Sequence, residues 1–103
     1  MFRVPSPETV AAFLERLTAA LAEDRVGLTD DAREYALQDF GWGIAEVMLL
    51  LYLLDEDEYS HHEPSVAPEG GMIWVFLHMT DTGRLWLRVC ERDSMVVISL
   101  HRG

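Results

Sequence analysis

The sequence contains no lysine and a single cysteine, and each scarcity narrows the class of protein. All eight basic residues are arginine, set against eighteen aspartates and glutamates, for a formal net charge of -10. Because nucleic-acid affinity is largely electrostatic, this charge argues against DNA binding by the chain alone and against broad contact with phosphate backbones. The lone Cys90 cannot form an internal disulfide, which fits a reducing compartment.

A long apolar run is also missing. The longest one, Val47 to Leu54, has eight residues, whereas a helix that crosses a bilayer needs about twenty. The sequence turns polar after its first five residues, MFRVP, and lacks the apolar core and small-residue cleavage site of an export signal. We therefore expect no membrane association and a cytoplasmic location.

What remains is the composition of one folded domain. With 103 residues, 50% hydrophobic and 10% aromatic, the chain can bury one continuous core, and we expect a single domain over residues 1–103. The charge is uneven. Residues 1–63 hold fourteen acidic and four basic residues, while residues 64–103 hold four of each. The net charge therefore does not exclude a local anion site in the second half, where Arg84, Arg88, Arg92 and Arg102 lie.

The first half predicts helices. Ser6 and Pro7 are a capping residue and a favoured first helical residue, and apolar residues recur behind them at helical spacing to about residue 23. Residues 25–28 are short and extended in character. Thr29 then begins a second helix that ends before Gly41.

A third helix is predicted over residues 44–54, which are almost wholly apolar and rich in Leu and Met. Such a composition favours helix over strand and indicates burial on most sides. The acidic residues 55–58 that follow predict a cap and a short helical turn, with a solvated acidic loop as the alternative.

The second half predicts a sheet after a loop at residues 64–71. Three strands, at roughly 72–79, 84–90 and 95–101, are joined by turns short enough for hairpins. In the last strand the expected core face is Val96, Ile98 and Leu100. The expected fold class is α+β, with three N-terminal helices packed on a C-terminal antiparallel sheet.

One face of that sheet gathers chemically varied side chains. Trp86, Arg88, Ser99 and His101 alternate with core residues, and the segment from Tyr59 to Glu63 forms an additional strand or loop near them. Imidazoles move protons near neutral pH, guanidinium groups hold phosphate, and aromatic rings stack on bases. RNA cleavage through the 2′-hydroxyl needs a base, an acid and a cation, without a metal.

Each of these residues also has a structural explanation. Trp86 and Tyr59 fit ordinary packing on a strand, and Arg88 fits an ion pair with an acidic helix residue. His101 lies close to the C-terminus, where a histidine is often merely exposed. The spacing of His61, His62 and Glu63 is not that of a zinc motif, so we expect neither a metal nor another cofactor.

Several strings, in this order and spacing, resemble the motility quorum-sensing regulator (MqsR) toxins, which are RNA-cleaving toxins with a RelE-like fold. They are DEDEYS (55–60), MIWVFLH (72–78), TGRLWLRV (82–89) and MVVISLHR (95–102). The resemblance runs from about Val10 to Arg102. It implies the toxin of a type II toxin-antitoxin system, an mRNA interferase whose partners are RNA and a cognate antitoxin.

The resemblance also implies roles for individual residues, and it shows departures from the family pattern. Ser60 stands where the family has lysine, Trp86 where it commonly has tyrosine, and Val75 where some members have a polar residue. A catalytically eroded relative that binds protein is therefore the alternative function. The expected catalytic residues are His101, His62, His61 and Tyr59, and the expected RNA contacts are Arg88, Trp86, Arg84, Arg102 and His78.

Overall fold

The computed structural model describes residues 7–81 and 83–103, with side chains from residue 9 onwards. Ser6, predicted as a helix cap, and Thr82, predicted in a turn, lie outside the described residues. The chain is α+β, with three helices and one five-stranded mixed sheet. The elements are α1 (Pro7–Ala22), β1 (Val26–Leu28), α2 (Asp30–Tyr35), α3 (Ile44–Tyr52), β2 (Tyr59–Pro64), β3 (Met72–Thr80), β4 (Gly83–Glu91) and β5 (Met95–Arg102).

The sheet has the order β1-β5-β4-β3-β2, and its hairpins are antiparallel as predicted. The expectation of a purely antiparallel sheet is wrong, because β1 pairs with β5 in parallel, with Val26 opposite Met95. This short strand covers the backbone groups along part of β5, which would otherwise form an open edge. The segment from Tyr59, predicted as a strand or loop, is a strand that pairs with β3.

Helices and sheet share one main core. The Phe13 ring of α1 stacks on Trp74 with centroids 4.5 Å apart and lies 5.8 Å from Phe76. Leu85 and Leu87 of β4 face the same side and are fully buried. We call this side of the sheet the covered face and the opposite side the open face.

A bulge in β5 changes which residues face the core. The register shifts between Arg88 and Val89 of β4, so that Ile98 becomes an extra residue. Met95, Val97 and Leu100 are consequently the buried residues. The predicted core face of Val96, Ile98 and Leu100 is wrong in its first two members, since strict alternation does not hold across a bulge.

The second helix and the acidic turn after the third helix form where they were predicted, each in part with a helical form other than α. After Tyr35, α2 continues as a π-helical turn over Ala36–Phe40, which Gly41 ends with φ of 68°. The acidic turn is a 3₁₀ helix over Glu56–Glu58, closed by a capping box from Asp55. None of the helices among the described residues is both long and apolar enough to cross a lipid bilayer.

The prediction that α3 is buried on most sides is wrong. Val47, Leu50 and Leu51 are buried, but Leu49 is 58% and Tyr52 61% exposed. The reason lies in the packing, since α3 contacts α1 on its inner side and nothing described covers its outer side.

Candidate functional site

The open face carries a shallow hollow at its centre. It encloses about 270 Å³ and is lined by His61, Val75, Trp86, Arg88 and His101. We call it the open-face hollow. It therefore brings together four of the side chains that the sequence proposes for RNA cleavage, together with an apolar residue.

Strand register explains why these residues meet. Arg88 lies opposite Val75 on one side and Ser99 on the other, while Trp86 lies opposite His101. His61 of β2 is in turn opposite Val75. Four strands thus contribute to the hollow, and β4 supplies both its guanidinium and its indole.

The two imidazoles enter the hollow from opposite sides. His61 lies opposite Val75, and His101 lies two residues beyond Ser99 on β5. Their Cα atoms are therefore three strand spacings apart across the sheet and two residues apart along it, or about 16 Å. The Val75 side chain, 4% exposed, forms the floor between them. Both histidines are exposed, so a group lying over the floor has an imidazole on each side.

The guanidinium of Arg88 has a carboxylate partner. Its Nη2 atom lies 3.1 Å from Oε1 of Glu63, and the two side chains are 35% and 48% exposed. Exposed ion pairs of this kind stabilise by about 0.2–1 kcal/mol. The ion pair with Glu63 therefore holds Arg88 only weakly.

Sequence reasoning did not identify Glu63 as this partner, since an acidic helix residue was expected. The available signal was its position two residues after His61, which puts both side chains on the same face of one strand.

His61 is held by its neighbour. Its Nδ1 atom lies 2.9 Å from Oγ of Ser60, the residue at the register shift of β2. This contact leaves Nε2 as the ring nitrogen for proton transfer.

Trp86 has a packing role as well as a place in the hollow. It is half-buried against a small apolar cluster on the open face, formed by Ile73, Val75 and Cys90. The structural explanation for Trp86 thus applies alongside any contact with a ligand. The neighbouring Ser99 keeps its Oγ atom buried, without a hydrogen-bond partner among the described residues.

Tyr59 and His62, also proposed as catalytic, lie on the covered face. The Tyr59 hydroxyl is 2.8 Å from Nδ1 of His62, and the His62 ring packs on Trp74 with centroids 4.5 Å apart. The bulge after Tyr59 puts that residue on the opposite side from His61, whereas His62 lies there by the ordinary alternation of adjacent strand residues. Burial raises the pKa of Tyr59 above its usual value of about 10.

The remaining predicted RNA contacts divide between the faces. Arg84 is exposed on the open face, two residues before Trp86 on β4. His78 contacts Glu58 on the other side of the sheet. Arg102 also lies there, with its guanidinium carbon 4.7 Å from the centroid of the Phe40 ring. Only Arg84 of these three shares a face with Arg88.

The open-face hollow is thus a partly exposed site with two imidazoles, one guanidinium and one indole. Within the described residues, no three His, Cys, Asp or Glu side chains are grouped closely enough to hold a metal ion. The chain matches no protein-family model and no curated protein.

Proposed function

We propose that the chain is a metal-independent RNA endonuclease of the RelE-like, MqsR-like kind, with its helices in the N-terminal half and its site on the C-terminal sheet. The observation that carries the proposal is the convergence of His61, Arg88 and His101 in the open-face hollow. An acid, a base and a cation at one phosphate are the groups that this cleavage requires.

The proposed reaction uses the 2′-hydroxyl of the RNA as nucleophile. His101 takes the proton of that hydroxyl, and the oxygen attacks the adjacent phosphorus. The bond from phosphorus to the 5′-oxygen breaks, and His61 protonates this leaving oxygen. The products are a 2′,3′-cyclic phosphate and a free 5′-hydroxyl. Arg88 neutralises the charge that develops on the phosphoryl oxygens.

Substrate recognition follows from the same residues. The RNA phosphate replaces Glu63 on Arg88, and the Trp86 indole stacks on a neighbouring base. Arg84, on the same face, provides a second contact to the RNA backbone. Since the chain as a whole carries a charge of -10, RNA binding is confined to this small surface.

In the cell, we propose that the enzyme is the cytoplasmic toxin of a type II toxin-antitoxin pair, inhibited by a cognate antitoxin. The support is the resemblance of the strings around Tyr59, Trp86 and His101 to the MqsR toxins.

A second candidate is a catalytically eroded relative that binds protein. The ion pair between Arg88 and Glu63 favours it, because a carboxylate occupies the phosphate-binding group.

The test is cleavage of short single-stranded RNA by purified protein in the presence of EDTA, with detection of cyclic-phosphate ends. We expect cleavage by the wild type and a loss of about 10²- to 10⁴-fold in His101→Ala and His61→Ala. His62→Ala is the matched control, since that imidazole lies on the covered face. Absence of cleavage by folded wild type rejects the nuclease and leaves the second candidate, and an equal loss in the control rejects the proposed site.

A further inference from the structure

The outer side of α3 is an apolar surface that faces solvent. Ile44 is 46%, Leu49 58%, Tyr52 61% and Leu53 62% exposed. A helix at the surface of a domain normally carries polar residues outward, whereas a helix that is apolar all round is normally buried. The exposure of α3 therefore indicates that another molecule covers it.

A groove beside α3 gives this surface a shape. It encloses about 270 Å³ between the end of α1, the edge strand β1 and α3, with Leu21, Val26, Met48, Leu49 and Tyr52 among its lining residues. An exposed ridge next to a concave apolar strip is the arrangement that receives the apolar side of an amphipathic helix.

The charges around the groove select its occupant. Asp24 lines it, Glu46 is exposed in the first turn of α3, and Asp55 is exposed just beyond its end. Arg25 is already paired with Glu23 at 2.7 Å. The one charged residue among the described residues that line the groove is thus acidic, the exposed carboxylates lie at the two ends of α3, and the first 63 residues as a whole are acidic, so this side of the molecule complements a basic partner.

The same charges argue against a second copy of the chain. Residues 1–63 hold fourteen acidic and four basic residues, so that two such surfaces in contact would repel one another. We propose that the groove and the outer side of α3 form the docking site for an amphipathic helix of a partner protein, with leucine-like residues on one side and Lys or Arg on its flanks. This site lies on the opposite side of the sheet from the open-face hollow and does not depend on the nuclease proposal.

The probe is a fluorescent peptide of about 14 residues, with Leu and Lys placed so that the helix is amphipathic, and about 21 Å long as a helix. Its counterpart has Glu in place of Lys. Binding is measured by anisotropy at low and high salt. The groove variant combines Leu49→Ser with Tyr52→Ser. The matched control combines Val66→Ser with Met79→Ser, which removes two exposed apolar side chains elsewhere.

We expect the Leu-Lys peptide to bind the wild type and the control alike, and the groove variant about tenfold more weakly. Asp24→Asn removes one charge, so it should weaken binding by a smaller factor and reduce its salt dependence. Asn is chosen because it tolerates the positive φ of 57° at this position. Circular dichroism checks that each variant is folded, and RNA cleavage by the groove variant should equal that of the wild type.

Three results overturn the proposal. The first is that the Leu-Glu peptide binds as tightly as the Leu-Lys peptide. The second is that the groove variant and its control lose affinity equally. The third is that sedimentation shows a dimer that the groove variant abolishes, which would make a second copy the occupant.

Discussion

Replacing Glu63 by Gln tests how Arg88 is held before RNA binds. In the structure one hydrogen bond of 3.1 Å joins the two side chains, at 35% and 48% exposure. At that exposure solvent screens the pair, and its worth is about 0.2–1 kcal/mol. The net free energy of RNA binding is reduced by this amount, because the phosphate has to displace the carboxylate from Arg88. Removing the negative charge should therefore tighten RNA binding by about 1.4- to 5-fold, from the conversion of 1.4 kcal/mol per factor of ten.

The assay is anisotropy of a labelled RNA with 2′-O-methyl groups, which binds without being cleaved. Glu69→Gln is the matched control, because it removes the same charge from an exposed loop position. The gain in Glu63→Gln should shrink at high salt, where exposed charges are screened. Arg88→Ala should abolish the difference between the two glutamate variants. If both glutamate variants bind RNA equally, Glu63 does not compete for Arg88 and the reasoning is refuted.

Two further predictions concern the fold. Phe13→Ala removes a fully buried ring stacked on Trp74 and should lower the free energy of unfolding, measured in urea, by about 3–5 kcal/mol. The control Leu49→Ala should lower it by less than about 1 kcal/mol. A loss in Phe13→Ala smaller than that in the control would contradict the described core. Burial raises the pKa of Tyr59, so the folded state favours the protonated phenol more than the unfolded state does. The resulting stabilisation is present below pH ~10 and is lost as the pH rises through the higher pKa of the folded state. Urea unfolding above pH ~10 should therefore show a steeper loss in the wild type than in Tyr59→Phe, and identical slopes would contradict it.

The parts of the fold that local patterns control could be predicted from the sequence. Residues 84–90 alternate strictly, so that β4 was assigned with its correct buried side. The predicted cap and short turn at residues 55–58 likewise depend on near neighbours, and the structure shows them as a capping box from Asp55. Burial is different, because it depends on what packs against an element. The apolar α3 reads as a buried helix although one side of it remains exposed.

The candidate site shows the same division. Trp86, Arg88 and His101 were placed together from alternation and hairpin turns, and their register agrees. Tyr59 and His62 were expected beside them, but both lie on the covered face, Tyr59 because of a bulge at Ser60 and His62 because it alternates with His61. A bulge adds one residue to a ladder and leaves no clear trace in composition, so periodicity alone cannot locate it. For the same reason, strict alternation gave the wrong core face for β5, where Ile98 is the extra residue of a bulge.

The proposed cleavage requires that both imidazoles act on one phosphate. The direct measurement is the single-turnover rate of RNA cleavage for His61→Ala, His101→Ala and the double variant. If the histidines work as one acid-base pair, the double variant should be no slower than the slower single variant, because the first substitution has already removed the acid-base catalysis that both residues provide together. Losses that multiply, or a rate that neither substitution changes, would contradict a shared site in the open-face hollow.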